Sequence, residues 1–354
     1  MAAPENNTTA TVPTPARRRP RLGFVGLGWI GAQRMKAMAQ SDAAEVVALS
    51  DTAGEAARAA AVHAPGAVVV PDVEALLGCD LDGAVIATPT ALHASHAVSL
   101  LGSGVAVFCQ KPLGRSAAET AQVITAARAS DRLLAVDMSY RFVRAVARIK
   151  KLAQSGAIGE IYACDMIFHN AYGPDKPWYY DRRASGGGCV IDLGVHLVDL
   201  ALWMLNFPAV EAVSSRRFAQ GKPLPSGDGS LEDYAVARLD LAGGASVTLA
   251  CSWHLPAGRD AVIRAAFFGT RGALAVNNIN GSFYDFRAER YHGTATEILD
   301  NAPDDWGDRA LSTWAAQLAL RPNYDPAIET SQEVAAVIDA IYGRERAFKW
   351  EPRL

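Results

Sequence analysis

Between residues 21 and 136, short apolar runs alternate with helix-patterned segments. The first alternation turns through Gly26-Leu27-Gly28-Trp29-Ile30-Gly31. A G-x-G-x-x-G turn between a strand and a helix constrains the fold more than anything else in the chain. Its glycines allow a tight turn, let backbone approach a pyrophosphate and let helix pack on strand, while the helix start offers free amides. The run Glu45 to Ser50 reads as a second strand and ends at Asp51. An acid there accepts hydrogen bonds from the adenosine ribose and repels a 2′-phosphate, which favours NAD over NADP without excluding NADP. A plain helix cap is the other reading of Asp51.

The alternation predicts further helices over 55–61, from Asp72, over 93–101 and over 117–127. Strands are predicted over 67–70, 83–88, 105–108 and 133–136. Repetition of this length predicts a doubly wound parallel sheet. Thr88-Pro89 closes one strand and Cys109-Gln110-Lys111-Pro112 follows another. Ligands of such sheets bind outside the carboxyl ends of the strands, so Thr88, Lys111 and the glycine turn should share one crevice. His93 and His96 have no acidic or thiol partner nearby in sequence. No metal is expected, and both should flank a loop near the nicotinamide.

A second constraint lies at Gly186-Gly187-Gly188, followed by an apolar stretch predicted as a buried helix over 190–205. The glycines suit close approach of backbone to a ligand or to another chain segment. Asp192, His196 and Asp199 fall at i, i+4 and i+7, on one helical face. Ionisable groups in such a helix are costly unless they are paired or do chemistry.

At 354 residues the chain exceeds the usual reach of one core, so two domains are expected. A net charge of -3, with Lys and Arg scattered, argues against nucleic-acid or anionic-membrane partners. The five cysteines form no C-x-x-C pair, which suits reduced thiols in the cytoplasm. Residues 1–20 read as a disordered tail. No apolar run was found that would read as a membrane span.

These places together resemble the Gfo/Idh/MocA oxidoreductases, the superfamily of glucose–fructose oxidoreductase and inositol dehydrogenase. The likeness rests on the glycine turn, Ala87-Thr88-Pro89, Gln110-Lys111-Pro112 and the block from Gly186 to Asp199. It implies a Rossmann domain over 21–138 that binds NAD(P). Gly26, Gly28, Trp29, Ile30, Gly31, Asp51, Thr88, Pro89, His93, Gln110 and Lys111 would contact the cofactor. It further implies an α+β substrate domain over 139–354 with a large, mainly antiparallel, open-faced sheet, consistent with hairpin patterns over 233–254 and 261–276. The helix expected over 331–347 should pack near the domain junction. An apolar open face should be covered, which predicts a homodimer or homotetramer.

The activity implied is hydride transfer between nicotinamide and a secondary alcohol of a sugar or cyclitol. His196 would be the general base, Asp192 would orient it or bind a hydroxyl, and Lys111 would stabilise the alkoxide. Arg141, His169 and Trp178 are further expected substrate contacts. The family segment usually reads Glu-Lys-Pro, whereas this chain has Gln110; a Gln beside Lys111 would lower the lysine's pKa. Two other functions compete. An NAD-dependent glycosidase or lyase would need an acid such as Asp175 or Asp181, and an NAD-binding regulator would not need Lys111 or His196.

Overall fold

A computed structural model describes residues 18–225 and 227–344. The expected disordered tail, apart from residues 18–20, and the end of the 331–347 helix lie outside the described residues. Six parallel strands form the first sheet: β1 (Arg21–Val25), β2 (Glu45–Ser50), β3 (Val68–Val70), β4 (Gly83–Ile86), β5 (Ala106–Cys109) and β6 (Leu134–Val136). They stand in the order β3-β2-β1-β4-β5-β6, which is the doubly wound arrangement expected. The strand order reverses beside β1, so the ends of β1 and β4 flank the ligand crevice. The helices between these strands are α1 (Trp29–Ala39), α2 (Gly54–Ala61), α3 (Val73–Leu76), α4 (His93–Gly102) and α5 (Ala117–Ser130).

The second half begins with α6 (Arg144–Gln154) and β7 (Ile161–Asn170), then α7 (Arg182–Ser185) and α8 (Val195–Met204). Its remaining strands are β8 (Val210–Ala219), β9 (Lys222–Leu224), β10 (Tyr234–Leu241), β11 (Ser246–Ser252), β12 (Ala261–Gly269), β13 (Gly272–Asn278), β14 (Phe286–His292) and β15 (Ala295–Asp300). They make a nine-stranded sheet in the order β15-β14-β13-β12-β7-β11-β10-β8-β9. Every pairing is antiparallel except β7 with β11. Alternation sorts its side chains: Cys164, Met166 and Phe168 of β7 join the core with Val198 and Leu202 of α8. Ala163, Asp165, Ile167 and His169 point to the opposite face.

Two helices close the chain. α9 (Arg309–Leu320) returns to the first sheet, where Trp314 is buried with its ring 5.7 Å from Phe108. The core of the first sheet therefore draws on residues far beyond 138. α10 (Thr330–Ile341) buries Val334, Val337 and Ile338 in the second core, while Asp339 accepts a hydrogen bond from Ala117 N at the start of α5.

The apolar stretch after the glycine triplet departs from the expected single helix. Val190–Gly194 is a π-helical turn that runs into α8. Such turns widen the helix locally and recur at functional sites. By length and composition alone Arg182–Met204 is apolar enough to cross a membrane, but it carries Asp192 and Asp199, and 89% of its window is buried inside the protein, as in a core helix.

Candidate active site

The glycine turn is shaped by three separate demands. Gly26 has φ +86°, where a side chain is strained, and a Cβ there would meet the Ala87 carbonyl at 2.6 Å. A Cβ on Gly31 would overlap the Gly26 carbonyl, whereas one on Gly28 would meet nothing within 4 Å. The open side of Gly28 faces a helix start with no side-chain cap and no acid in its first turn. Thr88 Oγ1, at the end of β4, is buried without a hydrogen-bond partner. A crevice with bare amides, a dipole end and an orphaned hydroxyl fits a bound dinucleotide. Asp51 stands at the end of β2, its Oδ2 accepting from Leu27 N (2.6 Å) and its Oδ1 from Ala53 N (2.7 Å). Each oxygen keeps a second lone pair for a ribose hydroxyl. Trp29 opens α1 with 60% of its surface exposed, Ile30 follows it, and Pro89 adjoins Thr88.

Lys111 and Asp192 meet across the two halves. Lys111 Nζ donates to the Asp192 carbonyl and to Asp192 Oδ1, both at 2.7 Å. Trp253 Nε1 donates to Asp192 Oδ2 at 3.0 Å. The carboxylate is thereby held at both oxygens, and the lysine keeps one N–H for a ligand. The Lys111–Pro112 peptide is cis.

His196 lies one turn on, 8% exposed, with the Tyr140 ring edge-on at 4.8 Å and Phe168 at 6.4 Å. Its ring nitrogens have no hydrogen-bond partner among the described residues. Burial, with the positive charge of Lys111 as a smaller cause, holds its pKa well below the usual value of 6.5. It is therefore neutral and able to take a proton at neutral pH.

The glycine triplet serves packing rather than a ligand. Gly186 has φ +90°, and a Cβ on Gly187 or Gly188 would overlap the Tyr342 hydroxyl or the Glu232 carbonyl. Glu232 Oε1 accepts from Val190 N (2.9 Å) and from the Tyr342 hydroxyl (2.8 Å), fixing the start of the π turn. At the other end of α8, Lys150 Nζ donates to Trp203 O (2.6 Å), Met204 O (3.2 Å) and Asn206 Oδ1 (2.7 Å). A cation there complements the helix dipole.

Several expected contacts are corrected. Arg141 does not face the crevice; its Nε and Nη2 grip Asp199 at 2.8 and 2.5 Å, and its guanidinium lies over the Trp203 and Phe207 rings. Asp199 is thus a structural partner, because a buried carboxylate needs a charge beside it. Asp192 does not orient His196, since the π turn breaks the i, i+4 relation and both its oxygens are engaged elsewhere. His93 is 1% exposed, with Nδ1 2.7 Å from Pro112 O and Nε2 2.8 Å from Thr88 O. The neutral ring has one N–H to donate to either carbonyl, and with both nitrogens facing backbone oxygens neither is left for the cofactor. His169 sits on the sheet face opposite Phe168, bonded to Ser252 Oγ (2.8 Å) and stacked on Tyr234. Trp178 is half-exposed and stacks on Tyr179 with centroids 3.8 Å apart, a placement that does not contradict its expected substrate contact. Gln110 turns away from Lys111, its Nε2 donating to Asp137 at 2.5 Å. Asp181 caps α7 through Arg183 N, and Asp175 is exposed beside Lys176, so neither is set as a buried acid. No cluster of metal-ligating side chains occurs among the described residues.

Sequence reasoning missed Trp253, Glu232, Asp137 and Tyr140. Trp253 and Asp137 each follow the last residue of a strand, which is the one signal that pointed to them.

A dinucleotide crevice bordered by a lysine–aspartate pair and a neutral histidine defines an NAD-dependent oxidoreductase. Comparison with known proteins agrees. Residues 20–138 match the model "Oxidoreductase family, NAD-binding Rossmann fold", and residues 146–275 match the GFO/IDH/MocA C-terminal domain. The chain is 32% identical over 255 residues to an Amycolatopsis mediterranei protein provisionally named a UDP-kanosamine synthase oxidoreductase subunit, covering 68% of this chain and 70% of that one. It is 29% identical to the inositol 2-dehydrogenase of Acidothermus cellulolyticus (73% of each chain). It is 26% identical to the D-glucoside 3-dehydrogenase of Escherichia coli (66% and 69%). The solved levoglucosan dehydrogenase complex with NADH and L-sorbose shares the fold, with a TM-score of 0.77 at 20% identity over 92% of this chain and 97% of that one. The chain belongs to the GFO/IDH/MocA oxidoreductase family.

Proposed function

We propose that the protein oxidises a secondary alcohol of a sugar or cyclitol, reversibly, using Lys111, Asp192 and His196. The observation that carries this reading is the double contact of Lys111 Nζ with Asp192 beside a buried histidine free of hydrogen bonds. The nicotinamide, when bound, supplies the hydride acceptor; the protein supplies position and charge. His196 takes the hydroxyl proton as the C–O bond becomes a carbonyl. The remaining N–H of Lys111 holds the reacting oxygen and stabilises negative charge as it develops there. Asp192, held by Trp253, keeps the lysine aimed into the crevice.

A polyol substrate is supported by the inositol and glucoside dehydrogenases among the relatives. Asp51 supports NAD as the preferred form.

Two domains, 21–138 and 139–354, remain the working division, with α9 lent to the first core. The open face of the second sheet carries the half-buried Ile167, Val236 and Ala250, which supports burial against a second copy in a homodimer or homotetramer. Five cysteines free of disulfides, with Cys251 Sγ donating to Cys189 Sγ at 3.8 Å, support a reducing compartment such as the cytoplasm. The functional test is a panel of sugars and cyclitols with NAD and NADP, read by NADH or NADPH absorbance. Reduced cofactor formed with at least one polyol supports the reading; none across the panel counts against it.

A further inference from the structure

Asp137 follows β6 directly and its side chain is wholly buried. Its Oδ2 accepts from Gln110 Nε2 (2.5 Å) and Arg34 Nε (2.9 Å), and its Oδ1 from Ser139 Oγ (2.7 Å). Arg34 Nη2 also reaches Ser139 Oγ at 3.3 Å. Three elements are tied by this one carboxylate: α1, whose start borders the crevice, the end of β5, and the loop after β6.

The chemistry fixes how Gln110 points. An ionised carboxylate only accepts hydrogen bonds, so the amide end facing Asp137 must be the NH₂ group. Gln110 Oε1 is then the end turned away, and it has no partner among the described residues. The backbone cannot relax this arrangement, because Gln110 N donates to Ile86 O and Asp137 N to Cys109 O at the ends of neighbouring strands.

We infer that Asp137 is a positioning residue that locks the Gln110 amide so that its carbonyl oxygen accepts a hydrogen bond from the nicotinamide half of the bound dinucleotide. A ribose hydroxyl or the carboxamide N–H has the required donor. The chain thus keeps its negative charge behind the crevice, at 137, and presents a neutral acceptor at 110. A glutamate at 110 would set two carboxylates in contact, one of which must hold a proton. The charged and titratable groups around the pair are Arg34 from α1, Cys109 from β5 and Lys111, the next residue.

This inference rests on the crevice binding NAD, and its test separates the two. NADH affinity by fluorescence and Tm without cofactor would be measured for the full-length parent, Gln110→Glu, Asp137→Asn, the double variant and Gln110→Met. Gln110→Glu should weaken NADH binding about tenfold. Its Tm should fall as pH rises from about 6 to about 9, as the shared proton is lost. Adding Asp137→Asn to Gln110→Glu should bring affinity back to within about threefold of the parent and remove that pH dependence. Gln110→Met should weaken binding with no added pH dependence, which separates the lost acceptor from the charge clash. The inference is overturned if Gln110→Glu matches the parent in affinity and Tm across that range, or if the double variant recovers nothing. A parent that binds no NADH would overturn the cofactor reading, while the Tm series would still test the contact between residues 110 and 137.

Discussion

Lys111 Nζ lies 2.7 Å from both the backbone carbonyl and the carboxylate of Asp192, joining the end of β5 to the π turn that precedes α8. Two acceptors from one residue fix the direction of the ammonium as well as its place. The same contact binds the two halves of the molecule together at the crevice, so the proposed catalytic geometry and the domain packing are one arrangement.

Removing that ammonium should cost chemistry more than cofactor binding. Lys111→Ala is expected to lower kcat by about 10²–10³-fold. NADH affinity should stay close to the parent's. Steady-state kinetics with a titration of NADH fluorescence checks both, and a loss confined to NADH affinity would contradict the role.

Under the proposed function, Trp253 should act through Asp192. Trp253→Phe keeps a ring beside Tyr179 and Tyr180 but removes the Nε1 donor to Asp192 Oδ2. An unmade hydrogen bond of about 1–1.5 kcal/mol corresponds to roughly a tenfold fall in kcat/KM. Trp253→His, which retains a ring N–H, should lose less; equal losses in both variants would argue for packing alone.

The pH dependence follows from His196. Its pKa is depressed by burial and by Lys111, so the acidic limb of kcat/KM for alcohol oxidation should lie below pH 6.5. The same shift acts on stability. Below 6.5 the unfolded chain binds a proton at this histidine that the folded chain refuses, so stability falls as pH drops through that window. His196→Asn should lose the limb and soften that part of the stability profile. A limb well above pH 6.5 would contradict the assignment.

Arg141 should matter for folding. Arg141→Ala strands Asp199, whose side chain is 3% exposed, as an unpaired carboxylate in the core. The expected loss is about 3–5 kcal/mol in urea denaturation. Arg141→Ala with Asp199→Ala should lose less than Arg141→Ala alone. The reverse order would show that the pair is not coupled.

Much of this site is written in the order of residues. The glycine turn, Thr88, Lys111 and Asp192 stand at strand ends or at a helix start, and sheet topology alone brings such positions to one crevice. Contacts that depend on register were hidden. Trp253 reaches Asp192 because β11 runs parallel to β7, and no local pattern announces that pairing. Helical periodicity placed Asp192, His196 and Asp199 on one face, but the π turn displaced the first and Arg141 took the last. His169 went to the far face for a simpler reason: side chains alternate along β7, and Phe168 had already turned inward. The contribution of α9 to the first core was invisible because its partner Phe108 lies some two hundred residues earlier.

A ternary crystal structure with NAD and a polyol that the enzyme oxidises tests the central claim most directly. One hydroxyl should lie within hydrogen-bond distance of both Lys111 Nζ and His196 Nε2, with its carbon facing the nicotinamide ring. A substrate seated elsewhere, or a His196 ring left behind Tyr140 with no hydroxyl in reach, would contradict it.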